Sequence, residues 1–177
     1  RKTVYQCRDP IRIAIGDQSI DGSAFRPERH REVTHISVGI RELSEPRKFI
    51  KVLKPVRIEE GDCWGELVPH SGFQLDVEID FPTPLIGRQR LAFEMSPGIF
   101  RHELSRARTF GFMSDVEKLW KMGLALGADL TNTVAIGEGK VMNREGLRYP
   151  QEFVRHKMLD AVGDLCLAGS PLLGAYR

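Results

Sequence analysis

The side chains best suited to chemistry lie in one segment, Phe153-Val-Arg-His156-Lys157-Met-Leu-Asp160-Ala-Val-Gly-Asp164. On a helix, positions 156, 160 and 164 step by four, so they lie along one face, one turn apart. A neutral imidazole and a carboxylate one turn apart can together ligate a zinc ion, each at about 2.0–2.2 Å. Asp164, a turn further on, suits the outer shell, where a carboxylate orients another histidine. The same spacing also describes a surface ion pair. Two donors do not complete a catalytic zinc site either, since such a site takes three protein ligands and a water.

The elements around this segment follow from pattern. A helix is expected from about Glu152 to Leu167, stopping at Gly169 with Pro171 behind it. Val154, Leu159, Val162 and Cys166 would anchor its apolar faces. Upstream, Phe73 to Phe81 alternates without error, apolar at odd positions and acidic or polar between, which predicts a strand with one face on a core and an acidic face toward water. Phe49 to Lys54 and Val56 to Ile58 read as extended segments around Pro55, at a sheet edge, before a turn at Glu60-Gly-Asp62. Ser96-Pro97 offers a cap and a first-turn proline for a helix through Arg106. Ser114-Asp-Val-Glu117 reads as a capping box, with Val116, Leu119, Trp120 and Leu124 as the stripe behind it. Thr133–Ile136 and Lys140–Met142 read as strands joined by Gly137-Glu-Gly139. Strands mixed with packed helices, without regular βαβ alternation, point to an α+β layered fold. Trp64 and Trp120 read as core or edge packing.

Composition narrows the function. The 177 residues carry 26 basic and 24 acidic side chains, a formal net charge of +2, too balanced to argue for nucleic acid. Ser105-Arg-Ala-Arg108 alone, without a basic stripe interleaved with aromatics, leaves an RNA-binding reading far behind. Charges interrupt every apolar stretch well short of the roughly 20 residues that span a bilayer. Cys7, Cys63 and Cys166 lack CxxC spacing, which fits a reducing cytoplasm better than a disulfide framework. Before Arg47 the pattern is weaker: Ile11 to Ile15 alternates like a short strand, and Arg26 to Glu32 reads as a solvated charged loop.

Four stretches in order, Ser105-Arg-Ala-Arg-Thr-Phe-Gly-Phe-Met113, Gly123-Leu-Ala-Leu-Gly-Ala128, Asn143-Arg-Glu-Gly-Leu-Arg-Tyr149 and Phe153 to Leu165, closely resemble the UDP-3-O-acyl-N-acetylglucosamine deacetylase family, zinc enzymes of bacterial lipid A synthesis. The resemblance runs from about Gly39 to the end, and Asp21-Gly-Ser-Ala24 is similar to a motif near the end of that family's first domain. It implies a two-layer α+β sandwich, a mixed β-sheet with packed helices and a βαβ insert. Residues 1–40 would be a partial or degenerate first domain and linker, and residues 41–177 the second domain without its C-terminal end.

By that resemblance His156 and Asp160 would be two of three Zn2+ ligands. Lys157 would face the substrate's phosphates or the developing oxyanion. Asp164 would steer a histidine acting as an electrostatic partner or general acid. Thr109, Phe110, Met113, Val116 and Leu130 would belong to the insert whose apolar walls hold the 3-O-acyl chain; plain core packing is the alternative for each. The implied substrate is a UDP-linked acylated glucosamine, and the implied reaction is metal-assisted amide hydrolysis, with zinc lowering the pKa of its water toward about 7 and a glutamate taking the proton.

The family's Glu-His pair, its base and first zinc ligand, has no counterpart in this sequence. Glu32-Val-Thr-His35 is the nearest stretch, with threonine where the base would stand. The family's further histidine, in a Ser-Gly-His segment beyond the last helix, would follow after Arg177. A catalytically incompetent fragment, or a domain that binds the acyl chain or nucleotide, is therefore the alternative expectation. Self-association through an exposed apolar side goes with it. His70 and His102 read as structural or solvent-facing.

Overall fold

The structure, a computed structural model, describes residues 48–177. The readings at Ile11–Ile15, Asp21–Ala24, Arg26–Glu32 and Glu32–His35 lie outside the described residues. The elements below belong to a unit spanning Phe49–Arg177.

The alternating segment becomes β4 (Phe73–Asp80), with Leu75 fully buried. Its acidic face does not simply meet water. Antiparallel β5 (Arg88–Glu94) brings Arg90 onto both oxygens of Asp76, at 2.8 and 2.7 Å, and Arg88 onto Glu78 at 2.7 Å. Each pair is a diagonal cross-strand neighbour. The arginine bond is the main reason the Asp76 carboxyl titrates below its usual value.

The strand at the centre is β9 (Leu172–Tyr176), parallel to β4 along one edge. Its other edge is shared, in parallel with β1 (Ile50–Lys51) and then antiparallel with β3 (Cys63–Val68). β2 (Val56–Glu60) closes the far side as a hairpin partner of β3 through a left-handed Gly61. The result is a six-stranded mixed sheet with β2 at its edge, as Pro55 suggested. Gly174 must be small, since a Cβ there would stand 2.5 Å from the Val52 Cγ2.

Ser96 caps as expected, accepting from the Ile99 N–H at 3.1 Å, with Pro97 in the first turn. The helix that follows widens almost at once. α1 (Pro97–Ile99) runs into a π-helical turn, Phe100–Leu104, rather than continuing as an α-helix to Arg106. That turn buries Leu104 against Leu75, Leu165 and Leu172, together with Met158 of α3 (Glu152–Cys166). α3 ends before a left-handed Gly169, with Pro171 beyond it.

A second, three-stranded sheet is built from β6 (Thr109–Phe112), β7 (Thr133–Gly137) and β8 (Lys140–Val141), with the helix α2 (Met113–Lys121) following β6 in the chain. β6 and β7 are parallel and joined through α2, a βαβ unit; β7 and β8 form the expected hairpin, turning on Glu138 and Gly139 at positive φ. Sheets and helices together make the α+β arrangement read from the sequence.

The capping box read at Ser114 needs correction. α2 begins at Met113 directly out of β6, with no side-chain cap hydrogen bond, so Ser114 lies inside the first turn and makes no capping box. The strand delivers the chain into the helix two residues too early for Ser114 to cap, leaving Phe112 at the cap position. Of the two places open to the tryptophans, core or edge, both take the outer one: Trp64 and Trp120 are about half exposed, at 51% and 46%. Trp64 lies at an outer hairpin under Arg57, 4.1 Å from its ring.

Candidate functional site

α3 can present charges because its other side is fixed in the core. Met158 and Leu165 pack with Leu75, and Val154 is fully buried. His156, Asp160 and Asp164 project from a different side, as spacing by four requires. Phe153 reaches the second cluster with Val134 and Ile136, so the helix is held between the large sheet and the insert.

The His156 Nδ1 lies 3.5 Å from the Asp160 Oδ2. It is buried and makes no hydrogen bond among the described residues. Burial is the main reason the imidazole titrates below its ordinary value, with Lys157 adding to the effect and the Asp160 and Glu152 carboxylates opposing it. The Lys157 Nζ donates to the same Asp160 Oδ2 at 3.0 Å and lies 5.6 Å from the centre of the Phe110 ring. Phe110 meets the His156 ring edge-on at 6.4 Å and is itself wedged against Phe81 and Phe153. A half-buried imidazole whose buried Nδ1 makes no hydrogen bond, beside an exposed carboxylate, is the donor chemistry a zinc ion takes. These two residues fit a zinc ion as two ligands. No group of three or more His, Cys, Asp or Glu side chains with metal-holding geometry occurs among the described residues.

Asp164 is exposed at the next turn. The expected acyl-chain residues lie on β6, on α2 and in the loop before β7. Thr109 is exposed at the start of β6, and Phe110 stands beside α3. Val116 covers Gly111, where an added Cβ would come within 3.2 Å of its Cγ2. Met113 lines an open cleft with Thr83, Glu117, Ile136 and Met142. Leu130 is 52% exposed before β7, with its carbonyl accepting from the Asn143 Nδ2.

Sequence reasoning missed the group behind this site. Arg108 and Glu152 are buried, at 4% and 0% exposure. The Arg108 Nε donates to the Glu152 Oε1 at 2.9 Å, and its terminal nitrogens donate to the Glu152 Oε2, the Glu145 Oε1 and the Gly146 carbonyl. Glu152 also accepts from the backbone N–H of Arg108 at 2.9 Å and of Arg148 at 2.6 Å. Burial alone would raise the Glu152 pKa, but these hydrogen bonds outweigh it and hold the carboxyl below its ordinary value. The partners are 44 residues apart in sequence, so no periodic pattern announces them.

The sequence profile of the UDP-3-O-acyl N-acetylglycosamine deacetylase family (LpxC) matches residues 19–177. The chain is also similar to proteins named UDP-3-O-acyl-N-acetylglucosamine deacetylase from Brucella ovis, Brucella suis and Brucella melitensis, each 55% identical over 141 residues. Those alignments cover 79% of this chain and 49% of each relative, so the chain spans about half the length of the curated relatives it matches.

Proposed function

Because the chain belongs to the UDP-3-O-acyl N-acetylglycosamine deacetylase family, we propose that it serves zinc-dependent hydrolysis of the N-acetyl group of UDP-3-O-acyl-N-acetylglucosamine, a step of lipid A synthesis. The observation that carries the site assignment is the buried, unpartnered His156 Nδ1 facing Asp160. His156 and Asp160 would hold the metal, with a third donor from outside the described residues. When bound, zinc supplies a Lewis acid for the acetamide carbonyl and a more acidic water.

The remaining roles belong to the protein. Lys157, held at Asp160 and over Phe110, offers a fixed positive charge to the substrate's phosphates or to an oxyanion. Burial lowers the His156 pKa and so favours the neutral form, the state in which a ring nitrogen donates a lone pair. Asp164, one turn on, is assigned to orienting a histidine. Phe110, Met113 and Val116 offer apolar surface for an acyl chain, with Thr109 and Leu130 at its approaches.

No helix among the described residues is long and apolar enough to cross a membrane, and a cytoplasmic location goes with a nucleotide-linked substrate. Exposed Phe49, Leu53, Val56, Ile58 and Trp64 support self-association; a clean monomer in static light scattering would remove that part of the reading.

A second reading, a non-catalytic domain that binds the acyl chain or nucleotide, is favoured by the lack of a third metal donor among the described residues. Assay of the purified chain with added zinc on UDP-3-O-acyl-N-acetylglucosamine, beside His156→Ala, separates the two. Zinc-dependent turnover lost in the variant supports hydrolysis. Substrate binding without turnover, from folded protein, leaves the binding domain.

A further inference from the structure

On the face of α3 that carries His156 and Lys157, the Phe110 ring meets both side chains, the imidazole edge-on at 6.4 Å and the ammonium at 5.6 Å. Only Thr109 separates Phe110 from Arg108, whose guanidinium is almost wholly buried. Glu152 lies one helical turn before His156 on α3. One carboxylate therefore ties the entry of β6 to the first turn of α3. It binds Arg108 through both backbone and side chain, and it accepts the Arg148 N–H from the loop leading into the helix. A five-donor fork set against a carboxylate fixes direction as well as distance.

We propose that Arg108 and Glu152 are positioning residues, whose buried ion pair sets the Phe110 ring against His156 and Lys157 and so fixes the face that the candidate zinc site presents. The inference rests on the site reading above, but its geometry stands whether or not the chain turns over substrate.

The pair does more than fill space. A buried charge pair is frequently replaced by apolar residues of similar volume with no loss of stability. Its use is then the geometry that apolar contacts do not specify. Without the fork, β6 and α3 still have Phe110, Phe153 and Val134 to pack on, so the insert stays attached. What is released is the register of β6 along the helix. A shift there moves the ring that meets His156 edge-on at 6.4 Å and Lys157 at 5.6 Å. Glu145 contributes a single contact and is half exposed, so it is a minor member.

The test reads the His156 ring protons by NMR in the full chain labelled at histidine, without added metal. The five histidines are resolved by assigning His156 with His156→Gln. Aromatic ring currents depend steeply on distance and angle, and Phe110→Leu gives the reference positions for a histidine without its ring. In Arg108→Lys, Glu152→Gln and the double apolar variant Arg108→Met/Glu152→Met, the His156 resonances are expected to move toward those of Phe110→Leu while circular dichroism stays native. A folded double apolar variant with unmoved His156 resonances would overturn the proposal, because the pair would then be packing only. Unmoved resonances in folded Arg108→Lys and Glu152→Gln would do the same. Loss of the fold in all three would also overturn it, since the pair would be needed for the unit as a whole. Displaced resonances in a chain with no deacetylase activity would retire the catalytic reading and leave the positioning role standing.

Discussion

α3 and α2 are both helices next to strands, yet they are anchored very differently. α3 buries Glu152, Phe153, Val154, Met158 and Leu165, whereas α2 buries none of its residues. The helix with the metal-ligand pattern is thus the rigid one, clamped on one side by the large sheet and on the other by the insert. The helix of the insert lies on the surface, with Trp120 half exposed and Val116 over Gly111 as a close contact. Such a division separates a helix whose side chains are held in place from one that has no such anchoring. Precision comes from burial and directional bonds, and adaptability from their absence.

The sharpest way to break this contrast is at Glu152. Removing one partner of a buried ion pair leaves the other charge uncompensated, so Glu152→Ala should destabilise the fold by about 3–5 kcal/mol in denaturant unfolding. Met158→Ala should follow, at about 2–5 kcal/mol, through lost burial and a residual cavity. If Trp120→Ala on α2 costs as much as Met158→Ala, the difference between the helices is not one of anchoring; a change within about 0.5 kcal/mol is expected.

Acid should find the same clamp. The folded-state pKa of Glu152 lies below its ordinary value of 4.5, so its contribution is fully present above that pH and is lost as the pH falls through the lowered value. Unfolding free energy measured down this range should fall less steeply in Glu152→Gln than in the wild type. Asp76, also lowered, adds to the slope in both proteins and cancels in the comparison.

The smallest effect is expected at Ser114. A capping serine replaced by alanine costs about 0.5–2 kcal/mol. Since Ser114 sits within the first turn of α2 and makes no cap, Ser114→Ala should stay within about 0.5 kcal/mol by thermal unfolding.

These cases also mark where the sequence was legible. Alternation across Phe73–Phe81, the cap at Ser96 and the hairpin at Gly137-Glu-Gly139 are local signals, and each appears where local chemistry puts it. The face of α3 was visible because a step of four is a property of the helix itself. Ser114 misled because a capping box is a pattern of types, while the actual start of α2 is set by the exit of β6. The π-helical turn after Ile99 carried no separate signal. Arg108 was noticed only as one arginine in a basic stretch; its burial depends on Glu152, and nothing short of the tertiary fold brings them together. The residues expected at the acyl chain were named by resemblance, and they lie on β6, α2 and the loop before β7, which no single local pattern links.

The most direct test of the site is equilibrium zinc binding by the purified full chain, compared with His156→Ala, Asp160→Ala and Asp164→Ala. Loss of an orienting carboxylate weakens metal affinity by roughly 10–100-fold. The expected result is a loss of at least that size in His156→Ala and Asp160→Ala, with Asp164→Ala losing no more than either. Zinc affinity unchanged by both His156→Ala and Asp160→Ala would contradict the assignment and leave the α3 face as a surface ion pair.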